Sequence, residues 1–316
     1  MLNHPNESIL QNTALLILLR LFAFFCCDAP YSAASALGTV LAVIPQAAAV
    51  LFLTRSRPAP DFPPRLLKIC RVYALFYAAW LTVLFRSLCR DLLLPHCGLM
   101  LLLLALMLLY TVRQPEAAAY RAAALMLFSG AAAFLLLPCG GIRSLRGISL
   151  FQPDSIAAGF FREWRFSGEL PLIPLLMRGQ SARNTRRGLT AWALFRGIFL
   201  PLLVLYGTMQ NGRLFCMKGN PFFLLPARAP LSGAIRTDGF WMLYAFACGG
   251  LCITACLQTA KPGSGTHPLL RTFLPYCACF ALLTLLPSAQ TLLHFAAVFL
   301  LITQIVLFRF KRRCPA

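Results

Sequence analysis

The sequence predicts an all-α integral membrane protein with about ten transmembrane helices. Of its 316 residues 59% are hydrophobic and 12% are charged, whereas a soluble domain is about 45–50% apolar and about 25% charged. The mean hydropathy is +0.73. Apolar stretches near the roughly 20 residues that a helix needs to cross a bilayer recur along the whole chain. This composition excludes a secreted disulfide scaffold, a collagen-like rod and a disordered chain, and it argues against a soluble enzyme.

The helices are assigned to apolar stretches in chain order. They cover residues 9–27, 33–53, 66–88, 97–112, 117–138, 166–177, 189–209, 237–257, 269–286 and 289–310. Length and hydropathy justify most of them directly. The first and the sixth are irregular. The first meets Asp28 and Pro30 at its end, and the short sixth contains Gly168, Glu169 and two prolines.

Ten spans divide into five plus five within one polytopic membrane domain, residues 1–316. Repeat one covers about 8–138, an outer interfacial connection about 139–165, and repeat two about 166–310. The amphipathic piece Ser155–Trp164 of that connection favours a helix lying on the membrane surface. Because the two irregular helices occupy matching places in the two halves, they point to a central transporter-type site. The alternative is that the prolines only kink a packed helix.

The charge is strongly basic, with 29 Lys and Arg against 9 Asp and Glu, a net charge of +20. Basic residues concentrate between helices two and three, between helices six and seven, and at the C-terminus. With ten spans these segments share one side with the N-terminus, and the positive-inside rule makes that side cytoplasmic. The charge therefore indicates topology signalling and attraction to anionic lipid headgroups. No basic stretch is interleaved with aromatics as in a nucleic-acid platform, so no nucleic-acid partner is predicted.

Motifs of catalysis and metal binding are missing from the sequence. Cys248, Cys252 and Cys256 share one helix face, but no histidine or acid accompanies them, which favours packing over metal binding. The few histidines are not clustered with acids. The sequence therefore predicts neither an enzyme, nor a cofactor, nor a metal site.

Glu169 is the sharpest candidate for function. An acid at membrane depth costs about 2–3 kcal/mol on insertion scales and is a functional hypothesis by default. Glu169 could bind a ligand ammonium, pair with an arginine or take up a proton. The alternative is an acid at the outer membrane interface.

Four other positions leave two interpretations open. Asp238 opens the eighth span and could cap that helix or contact a ligand. Tyr244, on the same helix, belongs to an aromatic belt or to a pocket wall. Arg20 and Arg196 lie inside apolar runs and either snorkel or meet an acid such as Asp28 or Glu169.

Several stretches, in order, carry a resemblance to a known family. They are ILQNTALLILLRLFAFF, LLKICRVYALFYAAWLTVLFRSLCRDLL, LLLALMLLYTVRQPEAAAYRAAALM, FSGELPLIPLL and IRTDGFWMLYAF. The chain resembles the GerAB-type spore germination permeases. These are the integral B subunits of GerA-type germinant receptors, within the amino acid–polyamine–organocation transporter superfamily. The chain departs from the pattern in having CysCysAspAlaPro in place of the glycine-rich break of the first helix, and Ile235 where the family has an acid.

The resemblance implies a leucine-transporter type of inverted repeat with broken helices 1 and 6. It implies a site for a small nutrient, such as an amino acid, between those helices, lined also by helices 3 and 8. The implied ligand-binding residues are Cys27, Asp28, Tyr77, Ser167, Gly168, Glu169, Asp238 and Tyr244. It further implies the inner membrane of an endospore former, with germinant-receptor A and C subunits as partners.

Three functions remain open on this sequence. The first is a germinant-receptor B subunit that senses a small nutrient. The second is a proton-coupled amino-acid transporter with Glu169 as the titrating group. The third is a non-binding membrane scaffold in which the acids only pair with arginines.

Overall fold

A computed structural model describes residues 9–26, 32–54, 63–93, 97–135, 153–177, 180–211, 222, 238–261 and 269–313. The regular elements in these ranges are all helical. The α-helices are α1 (Ile9–Phe25), α2 (Ala33–Thr54), α3 (Pro64–Leu93), α4 (Cys97–Thr111), α5 (Glu116–Leu135), α6 (Pro153–Arg165), α7 (Ile173–Leu176), α8 (Ala182–Leu194), α9 (Leu200–Asn211), α10 (Asp238–Ala260), α11 (Leu274–Leu285) and α12 (Pro287–Arg313).

The predicted class, an all-α membrane protein, is confirmed. Within the described ranges, six helical segments are long and apolar enough to cross a membrane: Ala33–Leu53, Pro64–Leu92, Ala117–Phe134, Ala182–Met209, Gly239–Ala260 and Pro287–Leu307. Three shorter apolar helices accompany them: Ile9–Phe25, Cys97–Thr111 and Arg271–Leu285. Several apolar helices of this kind indicate a multi-pass membrane protein.

Helix α1 lies at the centre of the molecule. Every residue from Asn12 to Phe25 is buried, and α1 packs against α5, α8 and α10. A helix that is apolar all round suits such a position, because no face of it meets solvent. Helix α10 also packs along α3. Gly249 allows the close approach, since a Cβ there would lie 2.5 Å from Phe22 of α1 and 2.8 Å from Phe85 of α3.

The amphipathic segment predicted as an outer interfacial connection forms a helix, but α6 packs into the bundle against α2. The two backbones touch at two glycines. A Cβ on Gly38 would lie 2.0 Å from the Ile156 carbonyl oxygen, and one on Gly159 would lie 2.1 Å from the Ser35 carbonyl oxygen. Glu163, one turn after Gly159 on the same face, is 2% exposed. Glu163 of α6 thus meets buried partners where the same residue on a surface helix would meet headgroups.

The predicted interruption of the sixth span is present. After α6 the chain leaves the helix at residues 166–169, makes the 3₁₀ turn Leu170–Leu172 and continues in the short α7. Pro171 and Pro174 each lie near the start of one of these two short pieces, where the missing N–H costs little. Helix α1 shows no such interruption between Ile9 and Phe25. The irregular end predicted for the first helix, at Cys27–Pro30, lies outside the described residues.

Candidate functional site

The break after α6, residues 166–169, is held by side chains from three other helices. Tyr73 of α3 donates its hydroxyl hydrogen bond to the Gly168 carbonyl oxygen at 2.8 Å. Arg20 of α1 donates from Nη1 to the Phe166 carbonyl oxygen at 2.8 Å. Ser167 donates to Oε1 of Gln46 on α2 at 3.1 Å. The carbonyls that the helix no longer satisfies are therefore paired inside the protein, as burial requires.

Arg196 enters the same region from the opposite side. It lies in a single π-helical turn, Phe195–Phe199, between α8 and α9, and π-turns inside helices frequently mark functional sites. Its side chain is fully buried. The guanidinium donates to Ser167 Oγ at 2.7 Å and from Nε to Glu163 Oε1 at 3.1 Å. It also bonds Gln46 and lies over the Trp192 ring, 4.5 Å from the centroid.

Glu163 joins the two buried arginines. Its Oε1 accepts from Arg196 Nη2 at 2.5 Å, and its Oε2 pairs with Arg20. Arg196 Nη1 also lies 3.4 Å from Glu169 Oε1. Two arginines and two glutamates thus form one buried cluster without net charge. Buried ions are tolerated only when they are paired and hydrogen-bonded in this way.

Glu169 is the incompletely satisfied member of this cluster. Its residue is 1% exposed, and neither carboxylate oxygen accepts a hydrogen bond. The buried Tyr77 hydroxyl of α3 also lacks a partner. Within the described residues, the backbone N–H groups of Gly168 and Glu169 donate to no acceptor. Donors without an acceptor and a carboxylate without a hydrogen bond therefore lie together at the helix break.

The site is closed in this structure. A Cβ on Gly168 would lie 2.6 Å from the Tyr77 ring and 3.2 Å from the Tyr73 hydroxyl, so the break is packed directly against the two stacked tyrosines. A cavity of about 10 Å³ adjoins Arg20 and Glu163, which is room for about one water molecule. A ligand larger than water needs the tyrosines or the break to move.

The structure brings half of the predicted site residues together. Ser167, Gly168, Glu169 and Tyr77 meet at the break. Tyr244 does not join them, because its hydroxyl donates to the Met126 carbonyl oxygen of α5 at 2.9 Å and its ring contacts Phe25, Phe240 and Trp241. Tyr244 is 5% exposed, so it packs between α5 and α10 and does not line the break; packing was not among the two interpretations of the sequence.

The other predicted site residues are not located. Cys27 and Asp28 lie outside the described residues. Asp238 begins α10, but its side chain also lies outside them.

Sequence reasoning missed Glu163 and Gln46. It did include a pairing of Arg196 with Glu169 among its alternatives, and that pairing is present. Arg20 meets Glu163, which was not considered because α6 was assigned to the membrane surface. One signal was available: Gly159 and Glu163 are four residues apart, so a helix pair that meets closely at the glycine also buries the glutamate.

The cysteines and His294 act as packing residues. Cys248, Cys252 and Cys256 are fully buried, and the Cys248 thiol contacts the Leu18 carbonyl oxygen at 3.5 Å. His294 lies edge-on to Trp80, with ring centroids 5.3 Å apart. In the described part of the chain, no group of three or more His, Cys, Asp or Glu could hold a metal ion.

No protein-family model, no curated protein and no solved structure matches the chain.

Proposed function

We propose that the protein is the membrane-embedded B subunit of a spore germinant receptor, and that it senses a small nutrient of the amino-acid class. The proposal includes ten transmembrane helices in a five-plus-five inverted repeat of the leucine-transporter type. In this arrangement the sixth span consists of α6, the break and α7. Both termini are cytoplasmic, the membrane is the inner cell or spore membrane, and A and C subunits relay the signal.

The observation that carries the proposal is the unsatisfied break at residues 166–169. Buried polar groups are normally paired, yet Glu169, the Tyr77 hydroxyl and two backbone N–H groups lack hydrogen-bond partners there. Interrupted helices place backbone groups of this kind at the ligand sites of transporter folds. The missing partners are those that a bound ligand supplies.

The charges of the site favour a zwitterion. The cluster of two arginines and two glutamates is balanced, so a ligand without net charge leaves it balanced. The ammonium of an α-amino acid can pair with Glu169, which lacks a donor. Its carboxylate can accept from the free N–H groups of the break and from Arg196 Nη1, which also has no hydrogen bond.

Sensing follows from the closed packing of the site. A ligand that fits only when Tyr77 moves away from Gly168 binds the open conformation and raises its population. The signal is then the shift between conformations, and transport across the membrane is not required.

The test is germination of purified spores, measured as dipicolinate release after adding single amino acids or sugars. Deletion of the gene in its own host should abolish the response to one nutrient, and the intact gene should restore it. Glu169→Gln should fail to restore it, because the variant loses the anion that holds the ammonium. Asp154→Asn is the matched control, since Asp154 is an exposed acid in the first turn of α6.

Both variants must be present in the membrane in equal amounts. Full restoration by Glu169→Gln would remove Glu169 from the site. An unchanged response to every nutrient after deletion would contradict the receptor proposal.

A proton-coupled amino-acid transporter is the second candidate, and the burial of an acid, Glu169, at an interrupted helix favours it. Proteoliposomes with an imposed pH gradient separate the two functions. Gradient-dependent uptake that Glu169→Gln abolishes supports transport. The non-binding scaffold is left if neither germination nor uptake depends on Glu169.

A further inference from the structure

A groove of about 430 Å³ lies where α4, α5 and α10 meet, and none of its lining residues belongs to the break in the proposed function. Its walls are mainly apolar, with Met107, Ala122, Met126 and Leu251 among them. The small alanines of α5 create the space. Tyr110, which is 65% exposed, lies at its edge, so the groove opens to the surface of the bundle. Its volume falls within the roughly 300–1,000 Å³ of small-molecule sites.

One end of the α4–α5–α10 groove is polar. Thr111 and Thr254 bring their hydroxyl oxygens within 3.3 Å of each other. Gln258 donates from Nε2 to the Thr111 carbonyl oxygen at 3.1 Å. Gln258 is 3% exposed, and its Oε1 accepts no hydrogen bond. An unpaired buried acceptor therefore lies at this end, and it calls for a ligand that carries a donor.

The same end is positively charged. Lys261 donates from Nζ to the Val112 carbonyl oxygen at 2.9 Å, which holds its ammonium beside the end of α4. Arg113 lies in the turn before α5 and Arg121 lies in α5, and both are exposed. Glu116 is the single acid in the sequence between residues 110 and 122, so cations outnumber acids in this stretch. The predicted topology puts this end on the cytoplasmic side, where membrane surfaces are anionic.

We propose that the α4–α5–α10 groove binds an anionic phospholipid whose headgroup carries a hydroxyl. One acyl chain lies along the apolar walls, the phosphate faces Lys261, and the headgroup hydroxyl donates to Gln258 Oε1. Phosphatidylglycerol has all three features. Phosphatidylcholine has the acyl chain, but it lacks both the net negative charge and the hydroxyl.

The experiment measures which lipid the full chain retains. The protein is equilibrated in mild detergent with equal amounts of phosphatidylglycerol and phosphatidylcholine of the same acyl chains, and the lipids that stay bound are quantified by mass spectrometry. The wild type should retain phosphatidylglycerol in several-fold excess. Lys261→Gln should lower this ratio about fivefold, the loss expected for one cation at an anionic membrane surface.

Groove-filling variants test the position of the lipid. Ala122→Trp should remove most of the bound phosphatidylglycerol, and Ala118→Trp, at an exposed position of the same groove, should act in the same way if Ala122→Trp fails to fold. Ala131→Trp is the control, because Ala131 is exposed on the opposite face of α5 from Ala122.

Two outcomes would overturn the proposal. They are equal retention of the two lipids by the wild type, and unchanged retention of phosphatidylglycerol in a folded groove variant.

Discussion

Glu163 pairs with two arginines at once, so it is the residue whose loss should cost the most stability. Its carboxylate contacts both Arg20 and Arg196, and all three side chains are almost fully buried. Water cannot replace the missing charge at such depth. Removing one partner of a buried ion pair typically costs about 3–5 kcal/mol, because the other charge stays buried without compensation.

We therefore expect Glu163→Gln to lower the free energy of unfolding by about 3–5 kcal/mol. Adding Arg20→Gln restores the balance of one arginine against one glutamate, and the double variant should recover part of this loss. Unfolding in mixed detergent micelles measures both, and the double-mutant cycle isolates the coupling. Additive losses in the double variant would contradict the shared-charge explanation.

Single residues also mark the limit of reasoning from the sequence. Glu169 was identified because an acid in an apolar, proline-broken stretch is costly whatever surrounds it. Glu163 was not, because its cost depends on which helices lie beside α6. The pairing of Arg20 with a residue 143 positions away is a property of the fold, and one sequence without the fold does not contain it.

At the scale of elements, the contact between α2 and α6 depends on two glycines. Each glycine lies against a backbone carbonyl of the other helix at a distance that leaves no room for a Cβ. Small residues at such contacts are a common way for membrane helices to approach closely. The close approach is what carries Glu163 to the arginines.

Gly159→Ala should therefore destabilise the protein by about 1–3 kcal/mol, the usual cost of overpacking. Gly98→Ala is the matched control, because a Cβ there meets nothing within 4 Å and the change should stay within about 0.5 kcal/mol. Apparent melting temperatures in detergent compare the two. Equal melting temperatures would mean that α2 and α6 can move apart far enough to fit the added methyl group at no cost in stability.

The positions of most helices could be predicted, because apolar length is a local property that hydropathy measures directly. The bounds of α2 and α4 agree with the predicted stretches to within one residue. The packing of α6 could not be predicted, because the sequence of an amphipathic helix is the same whether its polar residues meet headgroups or buried charges. The π-turn around Arg196 likewise has no local sequence signal.

At the scale of the whole molecule, the described helices form one bundle around α1, and the charge of the connections predicts how the bundle is oriented in the membrane. The basic C-terminus, with Arg309, Lys311, Arg312 and Arg313, should be cytoplasmic under the positive-inside rule. Two reporters fused separately to the C-terminus, one active only in the cytoplasm and one active only outside the cell, measure on which side the C-terminus lies. Activity only outside the cell would overturn the arrangement of ten spans.

The pairing of Arg20 with Glu163 also orders the biosynthesis of the protein. Helix α1 is synthesised before α6, and the partner of its arginine follows 143 residues later. Protein synthesis adds about 5–20 residues per second, so Arg20 has no counter-charge from Glu163 for on the order of ten seconds. During that interval α1 cannot complete its packing in the bundle, because α8 and α10, which contact it, have not yet been synthesised either. The central helix of the finished bundle is therefore among the last to reach its final environment.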